Sequence, residues 1–325
     1  MRVFIFYHSA DLDGHLSGAL VEYWLQQREH VKQADILMKP INYGEPFPYE
    51  EIQPQDMVFM VDFSLQPIIE MVNLAELCHL HWIDHHKTSI PDPKSRDSEI
   101  YNGIKGIRSA DRAACELVWR YFWHEPGVPE NVYQMPSFVS WIGRYDRWDQ
   151  SHQVEWADKI IPFQYGMRAQ ETNPATVAGH DLWRAVLQMA EMETESPYNS
   201  WIRTTLMQGE AVQSYAAREN EKFMKAHSFT SEWGGIYWLV VNGGEINSAR
   251  ESSVYNPKVH QGILSYVNVQ GHFWRISMRT EKNDLDLSEL ARAFGGGGHR
   301  KAAGFQTRDL PAELVGPDYG EEADD

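Results

Sequence analysis

A chain of 325 residues, 42% of them hydrophobic, is long enough to bury a substantial core and to form two domains. Its 46 acidic side chains outnumber 29 basic ones, for a formal charge of -17, which disfavours broad nonspecific capture of nucleic acid while leaving room for a local basic pocket. The balance suits a short anionic ligand better than a long duplex. The two cysteines, Cys78 and Cys115, fall in apolar segments, as reduced core thiols do. The first residues hold no basic segment followed by a signal-like apolar core, and no apolar run approaches transmembrane length, so a cytoplasmic setting without a membrane span is expected.

The chain opens on RVFIFY, an apolar run that passes His8, Asp11, Asp13 and Gly14 into helical spacing at Leu16, Ala19, Leu20 and Tyr23. Residues 28–53 carry strand and turn signals that decorate the first sheet, with no catalytic set among them. A second apolar run, MVFMVDFS, puts Asp62 at a strand end ahead of a helix whose first turn suits Pro67. A third, LCHLHWIDHHK, leads through Leu80, Trp82 and Ile83 to the polar exit Asp84-His85-His86. Parallel strands with right-handed crossovers would gather the three ends on one sheet edge. Carboxylates crowded there would raise one another's pKa, whereas two divalent ions would neutralise them and accept mixed oxygen and imidazole donors.

Segment 87–108, with Pro91, Pro93, Gly103 and Gly106, should leave the core beside this edge. Solvent exposure is the plain reading of Lys87, Arg108 and Arg112, with a phosphate contact as the alternative. SADRAACELVWRYFW is helical by the spacing of Ala110, Ala113, Ala114, Leu117, Val118 and Tyr121, with Ser109 as its N-cap. A further apolar segment ends in RYDRWD, where Asp146 or Asp149 should join the acidic edge unless each only pairs with Arg144 or Arg147. Residues 190–228 read as a helical connection interrupted near Ser196-Pro197. IYWLVV, ILSYVNVQ and HFWRISMR then read as strands, followed by helical spacing at Leu287, Leu290, Ala291 and Phe294. Gly295 can end that helix, and Gly296, Gly297 and Gly298 allow a phosphoryl group to approach closely. His299, Arg300 and Lys301 add donors ahead of a compact turn or a helix start. His227, His260 and His272 have no such company and are read as structural or exposed.

The ordered set His8-x-x-Asp11-x-Asp13-Gly14, Asp62 and Asp84-His85-His86, with the late run Gly295-Gly-Gly-Gly-His299-Arg300-Lys301-Ala-Ala-Gly304-Phe305, resembles the DHH phosphoesterase superfamily and its DHH-associated C-terminal domain. The resemblance covers nearly the whole chain and is closest in style to the oligoribonuclease (nanoRNase) and nucleotide phosphodiesterase branch. It implies an α/β fold. A parallel-sheet DHH domain over residues 1–190 carries the metal site, 191–228 is a helical linker, 229–312 is a smaller mixed α/β substrate-binding domain, and 313–325 is an acidic tail.

The same resemblance implies hydrolysis of short single-stranded oligoribonucleotides or related small nucleotides to mononucleotides by two divalent metal ions. Mn²⁺ fits the ligand composition, with Mg²⁺ or Co²⁺ as alternatives. His8 and Asp11 would hold one ion, Asp13, His85 and Asp146 the other, and Asp62 would bridge them. Likeness to the family's fourth acidic motif favours Asp146, while the departure into RYDRWD keeps Asp149 as the alternative. Asp84 and His86 would act as catalytic groups supporting the ligands or facing the substrate. Arg279, Gly296, Gly297, Gly298, His299 and Arg300 would hold a terminal phosphate or nucleotide end. A nucleotide phosphatase or cyclic-dinucleotide phosphodiesterase is the second reading, and a catalytically inactive nucleotide-binding sensor or scaffold the third. Neither long duplexes nor membranes are expected as partners, and a homodimer is compatible with the reading.

Overall fold

The computed structural model describes residues 2–28, 35–87, 90, 98–124, 135–191, 195–244 and 252–316. Two compact units divide the chain, Met1–Val212 and Gln213–Asp325.

In the first unit the order is β1 (Val3–His8), α1 (Leu12–Gln26), β2 (Ile36–Ile41), β3 (Met57–Val61), α2 (Ile69–Leu77), β4 (His79–Ile83), α3 (Ser98–Asn102), α4 (Ala114–Trp123), α5 (Ser137–Asp146), α6 (Gln153–Glu155), α7 (Ile161–Arg168) and α8 (Val177–Glu191). Helix α9 (Glu195–His227) contains the division between the units. The four strands form a parallel sheet in the order β2-β1-β3-β4. Val3, Ile5, Tyr7, Phe59, Val61 and Ile83 enter one apolar layer, with α1, α4, α5, α7 and α8 against it. Phe4, Phe6, Val58, Met60, Leu80 and Trp82 enter the other, which α2 covers through Met71 and Leu74. Burial on both faces is why these strands are near-continuous apolar runs. Phe4, Phe6 and Phe59, each at most 1% exposed, contribute on the order of 1.5–3 kcal/mol apiece.

Register sets the functional edge. Tyr7 lies level with Val61, and Val61 with Ile83, so His8, Asp62 and Asp84 leave three adjacent strands at one height. Glycine lets α1 start close by: a β-carbon on Gly14 would stand 1.9 Å from the His8 carbonyl oxygen. Residues 105–109 return along the outer edge of β4. Asp84 N donates to Ile107 O at 3.0 Å, Ser109 N donates to Asp84 O at 3.2 Å, and a β-carbon on Gly106 would lie 1.9 Å from Trp82 O. Arg108 has a structural role, since its guanidinium donates to the carbonyls of Trp82, Ile104 and Tyr101.

Three local expectations are corrected. Ser109 does not cap α4, whose N-cap is Ala113; the first two helix amides are instead satisfied by the Asp13 carboxylate. Pro67 precedes α2, which begins at Ile69. Helix α9 already includes Ser196-Pro197, near which an interruption was expected, and Pro197 falls in its first turn, where a missing N–H costs nothing; residues 192–194 lie outside the described residues.

The second unit holds a six-stranded mixed sheet in the order β5-β6-β7-β8-β10-β9. These are β5 (Ser228–Trp233), β6 (Ile236–Asn242), β7 (Gly262–Val269), β8 (Phe273–Arg279), β9 (Gly297–His299) and β10 (Ala302–Thr307), with α10 (Leu287–Ala293) between β8 and β9. Only the β6–β7 pairing is parallel. Leu287 and Ala291 of α10 pack with Trp238, Val240, Leu264 and Ile276 on one face, while Met224 of α9 packs with Leu239, Val241 and Ile263 on the other. The glycine run forms a hairpin and not a helix start: Ala302 lies level with His299, and Gly304 with Gly297. Gly295, at φ 77°, ends α10 as expected, its amide bonding Arg292 O at 3.0 Å while Gly296 N bonds Ala291 O at 2.9 Å. The expected tail beyond Gly316 lies outside the described residues.

Candidate metal centre

Each acidic or imidazole group at the sheet edge is positioned by backbone. Asp11 caps α1, its Oδ1 accepting from Gly14 N at 3.0 Å, which turns Oδ2 to within 3.5 Å of His8 Nδ1. Asp13, on the first turn of α1, accepts from Ala114 N at 2.9 Å and Cys115 N at 2.8 Å, so one carboxylate both caps α4 and faces His85 Nε2 at 3.6 Å. Asp62 follows β3 with φ 54°, a left-handed conformation that aspartate tolerates better than most side chains. Asp84, fully buried, accepts from His85 N at 2.7 Å, His86 N at 3.1 Å and His86 Nδ1 at 2.8 Å. It thereby sets the turn that aims both imidazoles.

Three ligand-competent groups result, His8/Asp11/Asp62, Asp13/His85/Asp146 and Asp62/His85/His86, with the ligand atoms of each within 4.8 Å of one another. Asp62 joins them: its Oδ1 is 3.2 Å from His85 Nε2 and its Oδ2 is 3.7 Å from His8 Nδ1. His8 Nδ1 and Asp62 Oδ1 are buried, yet neither has a hydrogen-bond partner. Buried polar atoms left this way are costly unless another group satisfies them. A cation on each side of Asp62 would do so, and the donor set of carboxylate oxygens and imidazole nitrogens fits divalent ions.

The electrostatics agree. Burial and the neighbouring Asp62 and Asp146 charges push the Asp13 carboxyl well above its usual range. Burial raises Asp146 to about 6, with His85 opposing and Asp62 and Asp11 adding to the rise. Burial works against protonated His8 and His85, but the surrounding carboxylates outweigh it and bring each to about 10. Negative charge is in excess here, so the cluster retains protons or takes up cations.

Asp146, the last residue of α5, brings Oδ2 to 3.3 Å from His85 Nε2. Asp149 is elsewhere, 3.4 Å from Arg144 Nε and accepting from Ser151 N at 3.0 Å. Tyr43 escaped notice in the sequence because it follows β2 in a loop without any metal-like pattern. Its ring lies 5.8 Å from that of His8, 6.3 Å from His86 and 4.5 Å from Phe63.

The substrate-binding candidates lie in the second unit. Arg279 ends β8, level with Ala302 and Ile263, with Nη1 3.4 Å from Met278 O. Gly296 packs closely, since a β-carbon there would be 2.2 Å from Gly304 O, while Gly297 faces open space and Gly298 takes φ 135°. Arg300, 56% exposed in its side chain, donates to Asn283 O at 2.8 Å and stands 3.7 Å from Asp286 Oδ2. Lys301 is committed to structure, its Nζ donating to Glu281 O, Lys282 O and Asn283 Oδ1 at 2.6–2.8 Å. The His299 side chain lies outside the described atoms.

Residues 242–316 match the DHHA1 domain family. The chain is 24% identical over 321 residues to an uncharacterized protein of Acanthamoeba polyphaga mimivirus, covering 93% of this chain and 66% of that one. It is 21% identical over 274 residues to oligoribonuclease NrnB of Bacillus subtilis, covering 82% and 63%. The chain thus spans slightly less than two thirds of the length of each of these relatives. A solved DHH domain from a member of a ribosomal-protein family has the same fold, at TM-score 0.56 and 14% identity, over 94% of this chain and 82% of that one.

Proposed function

We propose that this chain, whose residues 242–316 match the DHHA1 domain family, is a phosphoesterase of the DHH superfamily that hydrolyses phosphodiester bonds of short single-stranded oligoribonucleotides or related small nucleotides. The observation that carries the reading is Asp62, whose buried oxygens divide between His85 at 3.2 Å and His8 at 3.7 Å. On this reading His8 and Asp11 hold one divalent cation, Asp13, His85 and Asp146 a second, and Asp62 both. Mn²⁺ suits the mixed donors, with Mg²⁺ or Co²⁺ as alternatives. When bound, such a pair activates water as a nucleophile and neutralises charge on phosphoryl oxygens.

The chain's own groups do the rest. Asp84 holds His86 through Nδ1 and raises its pKa, which favours the protonated form that would donate to a phosphate oxygen or to the leaving oxygen. Arg300 has five N–H donors, of which the Asn283 and Asp286 contacts use part, and with Arg279, His299 and the open glycines it would bind a terminal phosphate. Among the described residues no helix is long and apolar enough to cross a membrane.

The test offers purified, metal-loaded protein a short 5′-phosphorylated RNA, a longer counterpart, a cyclic dinucleotide, a bisphosphorylated nucleotide and pyrophosphate. Accumulation of mononucleotides from the short RNA is expected. Release of phosphate alone would favour the phosphatase, and binding without turnover the sensor.

A further inference from the structure

We propose that Trp148 is a stacking shelf for the nucleobase adjacent to the phosphodiester held on the Asp146 side of the centre. The inference rests on the nucleotide reading above and deepens it.

Helix α5 ends with the same pair of bonds as α10. Trp148 N donates to Tyr145 O at 3.0 Å and Asp149 N to Arg144 O at 2.9 Å, and this closure puts Trp148 at φ 56°. In α10 the corresponding residue is Gly295 at φ 77°. Glycine is what this left-handed position favours, because a β-carbon there crowds the backbone. Helix α10 meets the requirement, whereas α5 carries the largest side chain available.

Packing accounts for only part of that choice. The indole meets Trp156 edge-on at 5.1 Å and 73°, and Tyr145 at 5.8 Å and 66°, but Trp148 remains 52% exposed. Beneath it Tyr145 and Trp156 lie parallel, 5.7 Å apart at 7°. The Arg168 guanidinium sits 5.3 Å from the Tyr145 ring centre. The patch is therefore a braced aromatic surface with a cation beside it. Arg147 and Asp149 fix its flanks, through Glu116 at 3.3 Å and Arg144 at 3.4 Å.

Position supplies the occupant. Trp148 follows Asp146 by two residues, at most about 7 Å of backbone, so a phosphate against Asp146 puts the attached base within reach of the indole. Every base offers a π face, so stacking binds single strands without demanding a sequence, and a neighbouring guanidinium strengthens such sites.

Three substitutions test the shelf. Trp148→Gly removes the indole and supplies the residue the helix end favours, Trp148→Leu keeps an apolar cover on Trp156 without a π face, and Trp148→Phe keeps a smaller ring. Binding of a fluorescein-labelled RNA trimer and of an abasic ribose-phosphate trimer is measured by anisotropy in Ca²⁺, and hydrolysis of both is measured separately in Mn²⁺. Wild type should bind the base-bearing trimer about ten- to hundredfold more tightly. Trp148→Phe should keep most of that ratio, and Trp148→Gly and Trp148→Leu should lose most of it. A ratio unchanged in the folded Gly and Leu variants, or a wild-type ratio near one, overturns the proposal. Failure of wild type to hydrolyse either trimer would instead remove the phosphodiesterase reading, and the binding ratio would still decide the shelf.

Discussion

Asp13 reaches Cys115 across the first unit, its Oδ1 accepting the Cys115 amide at 2.8 Å while Oδ2 accepts that of Ala114 at 2.9 Å. One carboxylate thus anchors the start of α4 and presents an oxygen to His85. Asp13→Asn also sheds a buried charge that opposes folding, but it can accept through a single oxygen and leaves one buried amide unsatisfied, a cost of about 1–3 kcal/mol that sets it below Asp146→Asn. Asp146 has no such duty. Its carboxyl is raised to about 6, so ionised Asp146 opposes folding at neutral pH when cations are chelated, and Asp146→Asn should be at least as stable as wild type there. Urea denaturation in EDTA at pH 7 should separate the two variants; equal destabilisation of both would refute the division of roles. Both should lose most turnover.

Removal of Asp62 should act on both halves at once. Wild type is expected to bind two divalent ions per chain and Asp62→Asn to lose high-affinity binding of both, measured by calorimetry and elemental analysis. Stability should also rise with free metal, since an ion bound only by the folded state contributes RT ln(1 + [L]/Kd). A wild-type stoichiometry of one would sink the two-ion arrangement.

His81 gives a pH signature away from the centre. It packs on Phe59 at 4.9 Å between ring centres and sits 3.0 Å from the Tyr121 hydroxyl. Burial, with Lys105 and His79 nearby, lowers it from 6.5 to about 4. The folded value lies below the unfolded one, so the unfolded chain binds more protons between these limits. Stability attributable to His81 is complete above about 6.5 and falls away as pH drops toward about 4, by on the order of 3 kcal/mol less what solvent screening removes at this partly exposed ring. The slope of stability against pH in this window should be shallower in His81→Gln; identical slopes would contradict the assignment.

Neighbouring cations of the glycine hairpin should part company. Lys301→Met removes a charged donor from three acceptors and should destabilise the second unit by about 1–3 kcal/mol. Arg300→Ala should cost less than about 1 kcal/mol of stability, its ion pair with Asp286 being exposed, yet lower kcat/KM on short RNA by about 1.5–3 kcal/mol if it grips phosphate. Thermal denaturation and steady-state kinetics on both variants decide this. Unchanged efficiency in folded Arg300→Ala would make the hairpin a structural element alone.

Strand ends were legible because apolar runs buried on both faces stop abruptly at His8, Asp62 and Asp84, and side chains at those stops need no tertiary information to be found. The cap of α4 was not, because Ser109 offers a local hydroxyl while the acceptor used comes from Asp13, about a hundred positions earlier. Strand β5 hid at the end of a helical tract, and its polar sequence SFTSEW becomes a strand by pairing with β6. The hairpin of Gly297 to Thr307 follows the same rule, as glycines without side-chain preference take their form from the β8 edge to which β10 pairs. Tyr43 and Trp148 carry no ligand chemistry, and only their placement beside ligands makes them visible.

The left-handed backbone of Asp62 narrows what any descendant of this sequence can do at that point. A φ of 54° is readily occupied by glycine, asparagine and aspartate. Of those three only aspartate is an anion with two oxygens to share. Glutamate, a conservative exchange at most metal sites, would have to adopt a conformation its longer chain disfavours, by about 1–2 kcal/mol, and would overshoot a pocket closed on both sides by His8 and His85. Drift at this position therefore leads to loss of charge rather than to a substitute ligand, and lineages that abandon catalysis while keeping the fold should carry asparagine or glycine there.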